Sequence, residues 1–211
     1  MADVGRIVET EDCVAEGVAW LAAREPRFAH ALEQTGALPL RRRDDGFPAM
    51  LSAIVSQQLS VAAARGISAK LAAAGCDTAA GIAATDDEGL RACGLSRPKI
   101  RYVRGLIAEE PDWAALRDLP DAEVVAELVK LKGIGVWTAE IYAMFSLGRA
   151  DVFAPGDLAL QESARMLFDL PERPSDKALR AMAEAWSPWR SVAARLLWAY
   201  YHVEKSREGI A

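Results

Sequence analysis

An aspartate and a pair of glycines are the residues of this chain whose type and spacing offer the most chemistry. Asp157 follows Pro155-Gly156 and stands directly before an apolar run, residues 158–168, with helical spacing. That is where a helix N-cap belongs, a short polar side chain accepting backbone N–H groups. The positive helix end also favours an ionised carboxylate, the group that stabilises an oxocarbenium-like sugar or orients a water when a glycosidic bond breaks. The two roles are compatible. Upstream, Gly133 and Gly135 in Leu131-Lys-Gly-Ile-Gly-Val-Trp-Thr-Ala139 separate two helical segments, residues 124–131 and 136–147. Glycine permits positive φ and close backbone approach, and the first N–H groups of the outgoing helix suit a phosphate oxygen. Such a turn serves close helix packing equally well, so the glycines alone leave both readings open.

The elements that must position these residues all read as helices, and alternating β-branched or aromatic runs are missing. Residues 12–24 and 26–34 form a first pair, with Pro26 between them and Gly36 at the end. Residues 41–46 read as a charged loop. Met50, Leu51, Ile54, Val55 and Leu59 or Ala62 keep helical spacing after Pro48, which suits a first turn, and this helix is expected to run to about Gly66. Gln57 and Gln58 fall late in it or at its turn, where two exposed polar residues are the plain expectation. A further helix is expected over residues 67–74. Thr85-Asp-Asp-Glu88 reads as a capping box, and Ser96 as the cap of a helix with Ile100, Val103 and Leu106 or Ile107 on its apolar face. Ser175 caps a later helix, and Ser187-Pro188 reads as N-cap and first-turn proline of the last one. About ten short helices with connectors of ordinary length make the chain all-α.

Composition sets outer bounds. The 211 residues suffice for one large domain or two small lobes. With 52% apolar and 26% charged residues the balance is that of a soluble globular protein. Apolar runs are too short to span a membrane and the N-terminal residues lack the pattern of a signal peptide, so a cytoplasmic protein is expected. Cys13, Cys76 and Cys93 are far apart and form no CxxC pair, and there are only two histidines, His30 and His202. Zinc, disulfide and Ser-His chemistry are therefore poorly supplied. A net charge of −5 speaks against indiscriminate coating of nucleic acid but leaves room for a local footprint. Arg97, Lys99, Arg101 and Arg104 form a basic run, which most simply is a solvated helix face.

Leu131 to Ala139 followed by Asp151-Val-Phe-Ala-Pro-Gly-Asp157 resembles the helix-hairpin-helix and Gly/Pro-rich loop with aspartate of base-excision DNA glycosylases, nearest to the bacterial 3-methyladenine DNA glycosylase II branch. Ile54-Val-Ser-Gln-Gln-Leu-Ser60, Gly94-Leu-Ser-Arg-Pro-Lys-Ile-Arg-Tyr102 and Ser187-Pro-Trp-Arg-Ser191 with Trp198 agree in the same order. The resemblance covers about residues 45–200. It implies two helical lobes flanking a cleft, in one domain spanning residues 1–211 with its hairpin at 124–147 and its catalytic loop at 151–157.

The roles it implies fall on individual positions. Asp157 matches the catalytic aspartate. Trp137 stands where bifunctional relatives carry a Schiff-base lysine, which implies hydrolysis of the glycosidic bond without lyase activity. By spacing alone Trp137 and Trp198 are core filler; by resemblance they line a pocket for cationic alkylpurines such as 3-methyladenine and 7-methylguanine. Ile141 and Leu158 belong to the same pocket, at positions often aromatic in the bacterial enzymes, so the pocket is expected to be less aromatic. The turn at Gln57, Gln58 and Leu59 supplies the side chain that fills the gap left by the extruded nucleotide, Gln58 first and Leu59 second. Gly133, Ile134, Gly135 and Thr138 are expected to meet the DNA backbone, and the carbonyls of Leu131, Gly133 and Gly135 to hold a monovalent cation, Na+ or K+, that bridges to a phosphate. No other cofactor is implied, and the four-cysteine iron–sulfur motif of another branch is missing. Residues upstream of 45 are too few for the separate N-terminal β-domain of some members, and whether they close over the DNA or complete a lobe is left open. The expected partner is double-stranded DNA with damaged bases, bound by a monomer and without a membrane. Two alternatives remain: a glycosylase for deaminated or mismatched bases, and a non-catalytic helix-hairpin-helix DNA-binding protein, which gives no reason for Asp157 or the tryptophan pair.

Overall fold

Short polar side chains and prolines decide where the helices of this chain begin. The computed structural model describes residues 4–207; the ends of the expected 1–211 domain, residues 1–3 and 208–211, lie outside the described residues. In chain order the helices are α1 (Glu11–Arg24), α2 (Pro26–Thr35), α3 (Phe47–Ser56), α4 (Val61–Ala73), α5 (Ala79–Ala84), α6 (Asp87–Ala92), α7 (Arg97–Glu109), α8 (Asp121–Leu128), α9 (Val136–Phe145), α10 (Leu158–Leu167), α11 (Asp176–Ala183) and α12 (Arg190–Arg207), with 3-10 turns at Ala115–Asp118 and Glu184–Trp186. Thr10, Ser60, Thr78, Asp86, Asp157 and Ser175 each accept a backbone N–H of the helix they precede, satisfying donors that a helix start leaves over. Pro26, Pro48 and Pro98 occupy first turns, where the missing N–H costs nothing. Among the described residues the only β pairing is an isolated antiparallel bridge, Ile7 with Arg149, so the all-α expectation holds.

Three local expectations are corrected. The helix expected to run from 47 to about Gly66 stops at Ser56, and α4 continues unbroken across Gly66. Gln58 turns into the left-handed region at φ 56°, and Ser60 starts the next helix by accepting from Ala63 N at 3.2 Å. Periodicity did not reveal the break because the apolar residues keep step across it. Second, the cap of α6 is Asp86, not Thr85; Thr85 ends α5 and donates its hydroxyl to Gly81 O. Third, Ser187-Pro188 neither caps nor opens the last helix. Those residues form a turn ahead of α12, and Ser187 Oγ donates to the Asp151 carboxylate at 2.7 Å.

The chain divides into two compact units. The first is Arg43–Tyr142, in which α7 packs on α3, α5 and α6 around Met50, Ile54, Ile82, Leu90, Ile100 and Val103. A hydrogen-bonded cluster around the buried Tyr142 anchors the start of α3 to α9. Tyr142 Oη donates to the Asp45 carboxylate and accepts from Gly46 N at 3.0 Å, and Arg117 pairs with Asp45 at 2.6 Å. Burial, reinforced by Asp45, pushes the Tyr142 phenol well above its ordinary range.

The second unit joins Val4–Arg42 to the chain from Ala143 onward. Residues 4–42 thus pack as part of this unit. Helix α12 packs on α1, α2 and α10. Gly17 lets α1 approach closely, since a Cβ there would lie 2.6 Å from Trp189. Phe28, Phe153, Phe168 and Trp186 form a cluster of edge and stacked contacts, each ring contributing roughly 1.5–3 kcal/mol by burial. Val8 N donates to Gly148 O at 2.7 Å and Ala150 N to Arg6 O at 3.0 Å, which fixes the start of the connector that leads to Asp157. Arg195 is buried in the same unit, donating to Ser191 O, Ser191 Oγ and Met144 O, with its guanidinium 4.7 Å from the Phe145 ring. Burial pulls it down to about 10.

Candidate functional site

Asp157 caps α10 as its position suggests, and does more. Its Oδ1 accepts from Ala159 N at 2.9 Å, Leu160 N at 3.0 Å and the indole Nε1 of Trp198 at 3.1 Å. Three donors on one oxygen fix the carboxylate in rotation as well as in place. The loop before it is equally held: Gln161 Nε2 donates to Pro155 O at 2.8 Å, and Arg190 clasps Asp151 through two hydrogen bonds of 2.7 and 2.9 Å. Trp198 in turn lies against Phe145, ring centroids 5.7 Å apart. The second unit thus brings Asp157 and Trp198 into direct contact, with Leu158, the next residue, 63% exposed.

In the first unit, the glycine hairpin between α8 and α9 assigns different tasks to its two glycines. Gly133 has φ +90° and lies on the face of Tyr102 from α7; a Cβ there would be 2.4 Å from the ring. Close packing alone accounts for it. Gly135 lacks positive φ and a Cβ on it would meet nothing within 4 Å, so packing gives no reason for glycine there. Trp137 is 46% exposed on the first turn of α9, while Ile134, Thr138 and Ile141 are buried. The hairpin turn is closed by Ile134 N donating to Leu131 O at 3.0 Å, and the first helical bond of α9 runs from Ala139 N to Gly135 O at 3.0 Å.

The carbonyls expected to hold a cation each accept one hydrogen bond: Leu131 O from Ile134 N at 3.0 Å, Gly133 O from Gln57 Nε2 at 2.8 Å, and Gly135 O from Ala139 N. A carbonyl oxygen has two lone pairs, and hard oxygen donors are the right chemistry for a hard cation, so this donor set fits one. Among the described residues, no group of three or more His, Cys, Asp and Glu side chains is placed to hold a metal, and no helix is long and apolar enough to cross a membrane.

Gln57, Gln58 and Leu59 form the turn between α3 and α4, and Leu59 is 40% exposed. The structure joins this turn to the hairpin through Gln57 Nε2 and Gly133 O. Sequence reasoning missed two residues here. Lys99, read as part of a basic run, points its ammonium inward to Val55 O at 2.7 Å and Gln57 O at 2.8 Å, and burial pushes it below the ordinary lysine range. Tyr102 is the floor beneath Gly133. No local pattern could have revealed either contact, because the partners lie far away along the chain. Arg104 is also occupied internally, at Ile82 O, Thr85 O and Asp87, which leaves Arg97 and Arg101 as the exposed members of the run.

The chain is similar to known proteins in sequence and in fold. A family model described as the HhH-GPD superfamily base excision DNA repair protein matches residues 51–190. An alkylbase DNA glycosidase-like protein of Schizosaccharomyces pombe is 28% identical over 84% of this chain and 89% of its own length. DNA-3-methyladenine glycosylase 1 of the same yeast is 32% identical over 74% of this chain and 72% of its own. Among solved structures, a DNA-3-methyladenine glycosidase from Bacillus halodurans superposes with a TM-score of 0.81 at 32% identity, covering 90% of this chain and 91% of that one. A Schizosaccharomyces pombe 3-methyladenine DNA glycosylase in complex with abasic DNA gives 0.76 at 28% identity, covering 87% and 95%.

Proposed function

Since the chain belongs to the HhH-GPD superfamily of base excision DNA repair proteins, we propose that it is a monofunctional DNA glycosylase, hydrolysing the N-glycosidic bond of alkylated purines such as 3-methyladenine and 7-methylguanine in duplex DNA. We infer one glycosylase domain spanning residues 1–211, acting as a cytoplasmic monomer. The observation that carries the reading is the Asp157 carboxylate, held through Oδ1 by two main-chain N–H groups and the Trp198 indole. A carboxylate so fixed is preorganised for positive charge developing on a sugar.

An alkylated purine carries a positive charge while it is attached. When the bond to C1′ breaks, its electron pair leaves with the base, which departs neutral and needs no strong general acid. The sugar is left oxocarbenium-like and is stabilised by the Asp157 carboxylate; water then adds to C1′ and releases a proton. Trp137 has no amine with which to form a Schiff base, so the strand stays intact. The resemblance assigns Trp137, Trp198, Ile141 and Leu158 to recognition of the base, for which an electron-rich indole attracts a cationic purine. Gln58, with Gln57 and Leu59 beside it, fills the stack after extrusion. Gly133, Ile134, Gly135 and Thr138 grip the DNA backbone through main-chain groups. The carbonyls of Leu131, Gly133 and Gly135 would hold a Na+ or K+ ion, which supplies positive charge to a phosphate.

Base release from methylated duplex DNA tests the assignment. Asp157→Asn keeps an N-cap, so it is expected to bind DNA like the wild type while release falls by about a hundredfold or more. Release of 3-methyladenine at the wild-type rate by that variant would remove Asp157 from the mechanism. Run beside it, hypoxanthine- and uracil-containing duplexes decide the substrate; activity confined to those two would overturn the alkylpurine assignment.

A further inference from the structure

The turn that carries Gln58 and Leu59 is held at three points by other parts of the first unit. Helix α3 ends at Ser56, so its last carbonyls have no helical N–H partner. Lys99, on the first turn of α7, donates its ammonium to two of the acceptors there, Val55 O at 2.7 Å and Gln57 O at 2.8 Å. A positive charge at a helix C-terminus is also favoured by the helix dipole. The side chain of Gln57 then reaches the hairpin, donating to Gly133 O at 2.8 Å. Gly133 rests on Tyr102, three residues beyond Lys99 on the same helix. Lys99, Gln57, Gly133 and Tyr102 thus close a loop through α3, the hairpin and α7, and Gln58 and Leu59 project from its edge. Gln58 is left-handed at φ 56°, a conformation that needs outside support in a residue with a side chain.

We propose that Lys99 is a positioning residue for base extrusion: its ammonium sets the turn from which Gln58 and Leu59 enter the duplex and ties that turn to the hairpin. The inference rests on the reading above, in which residues 57–59 enter the duplex. Lys99 is half-buried and turned inward, so its part is to shape the protein side of the contact rather than to meet a phosphate.

The test uses a duplex with 2-aminopurine opposite an abasic analogue, whose fluorescence rises when the bases around the site are unstacked, and needs no catalysis. Full-length wild type, Lys99→Met and Lys99→Arg are compared for fluorescence change at saturation, for Kd, and for single-turnover base release. Lys99→Met is expected to bind within about threefold of wild type, yet to lose most of the fluorescence rise and about tenfold in release rate. Lys99→Arg, which can still donate to both carbonyls, is expected to restore both. Wild-type fluorescence from Lys99→Met, or a signal lost only in proportion to affinity, would overturn the proposal. If Lys99→Met does not fold, Lys99→Gln carries the comparison, since it keeps one donor and loses the charge. A wild type that neither unstacks the probe nor releases base refutes the glycosylase reading itself, an outcome distinct from a working wild type with an indifferent Lys99.

Discussion

Asp157 and Trp198 show how far single residues can be read. The aspartate was legible because its cue is local: Pro155-Gly156 ahead of an apolar helical run marks an N-cap, and the cap is what the structure contains. The hydrogen bond from Trp198 joins residues 41 positions apart, and helical spacing alone made this tryptophan core filler. The indole therefore has two tasks, as a ring beside Phe145 and as a donor that fixes the carboxylate. Trp198→Phe separates them, since phenylalanine keeps a ring and cannot donate. Loss of one hydrogen bond to a carboxylate predicts a fall in kcat of about tenfold with KM little changed. Steady-state kinetics on methylated duplex checks it; a change confined to KM would assign Trp198 to binding alone.

At the scale of elements, boundaries were legible at Pro26 and Ser175, where a proline or a cap announced them, and misread at Thr85 and Ser187-Pro188, where the same cues pointed to the wrong residues. They were obscured where distant contacts decide, as at the turn after Ser56 held by Lys99. The hairpin sharpens this. Its two glycines are equivalent in sequence and different in structure, one pressed on Tyr102 at positive φ and one in open space. Gly133→Ala is expected to destabilise the protein by about 2–3 kcal/mol in urea unfolding, through both strain and overlap. Gly135→Ala should leave stability within about 0.5 kcal/mol. Its effect belongs to the partner: if the backbone at Gly135 lies against DNA, an added methyl weakens binding about tenfold. Equal DNA affinity of Gly135→Ala and wild type would remove that contact from the proposed interface.

For the whole molecule, helical spacing and the lack of strand patterns indicated an all-α fold but could not show that residues 4–42 join the chain from Ala143 onward in one unit, since that union depends on packing such as Gly17 against Trp189. The net charge of −5 and the internal use of Lys99 and Arg104 limit the cations offered to phosphates, with Arg97, Arg101 and Lys132 among those exposed in the first unit. A titration of DNA affinity against salt is therefore expected to give a log–log slope of roughly −2 to −4; a slope near −10 would mean a far broader electrostatic footprint. Gln58 shows how free energy is divided between folding and binding. Its left-handed backbone costs on the order of 1 kcal/mol that glycine would save, and it does so in every folded molecule, whether or not DNA is near. Because that cost is met when the chain folds, the turn is shaped before any partner arrives. On the proposed role of residues 57–59, association then has no loop to order, and the binding energy is available for opening the duplex.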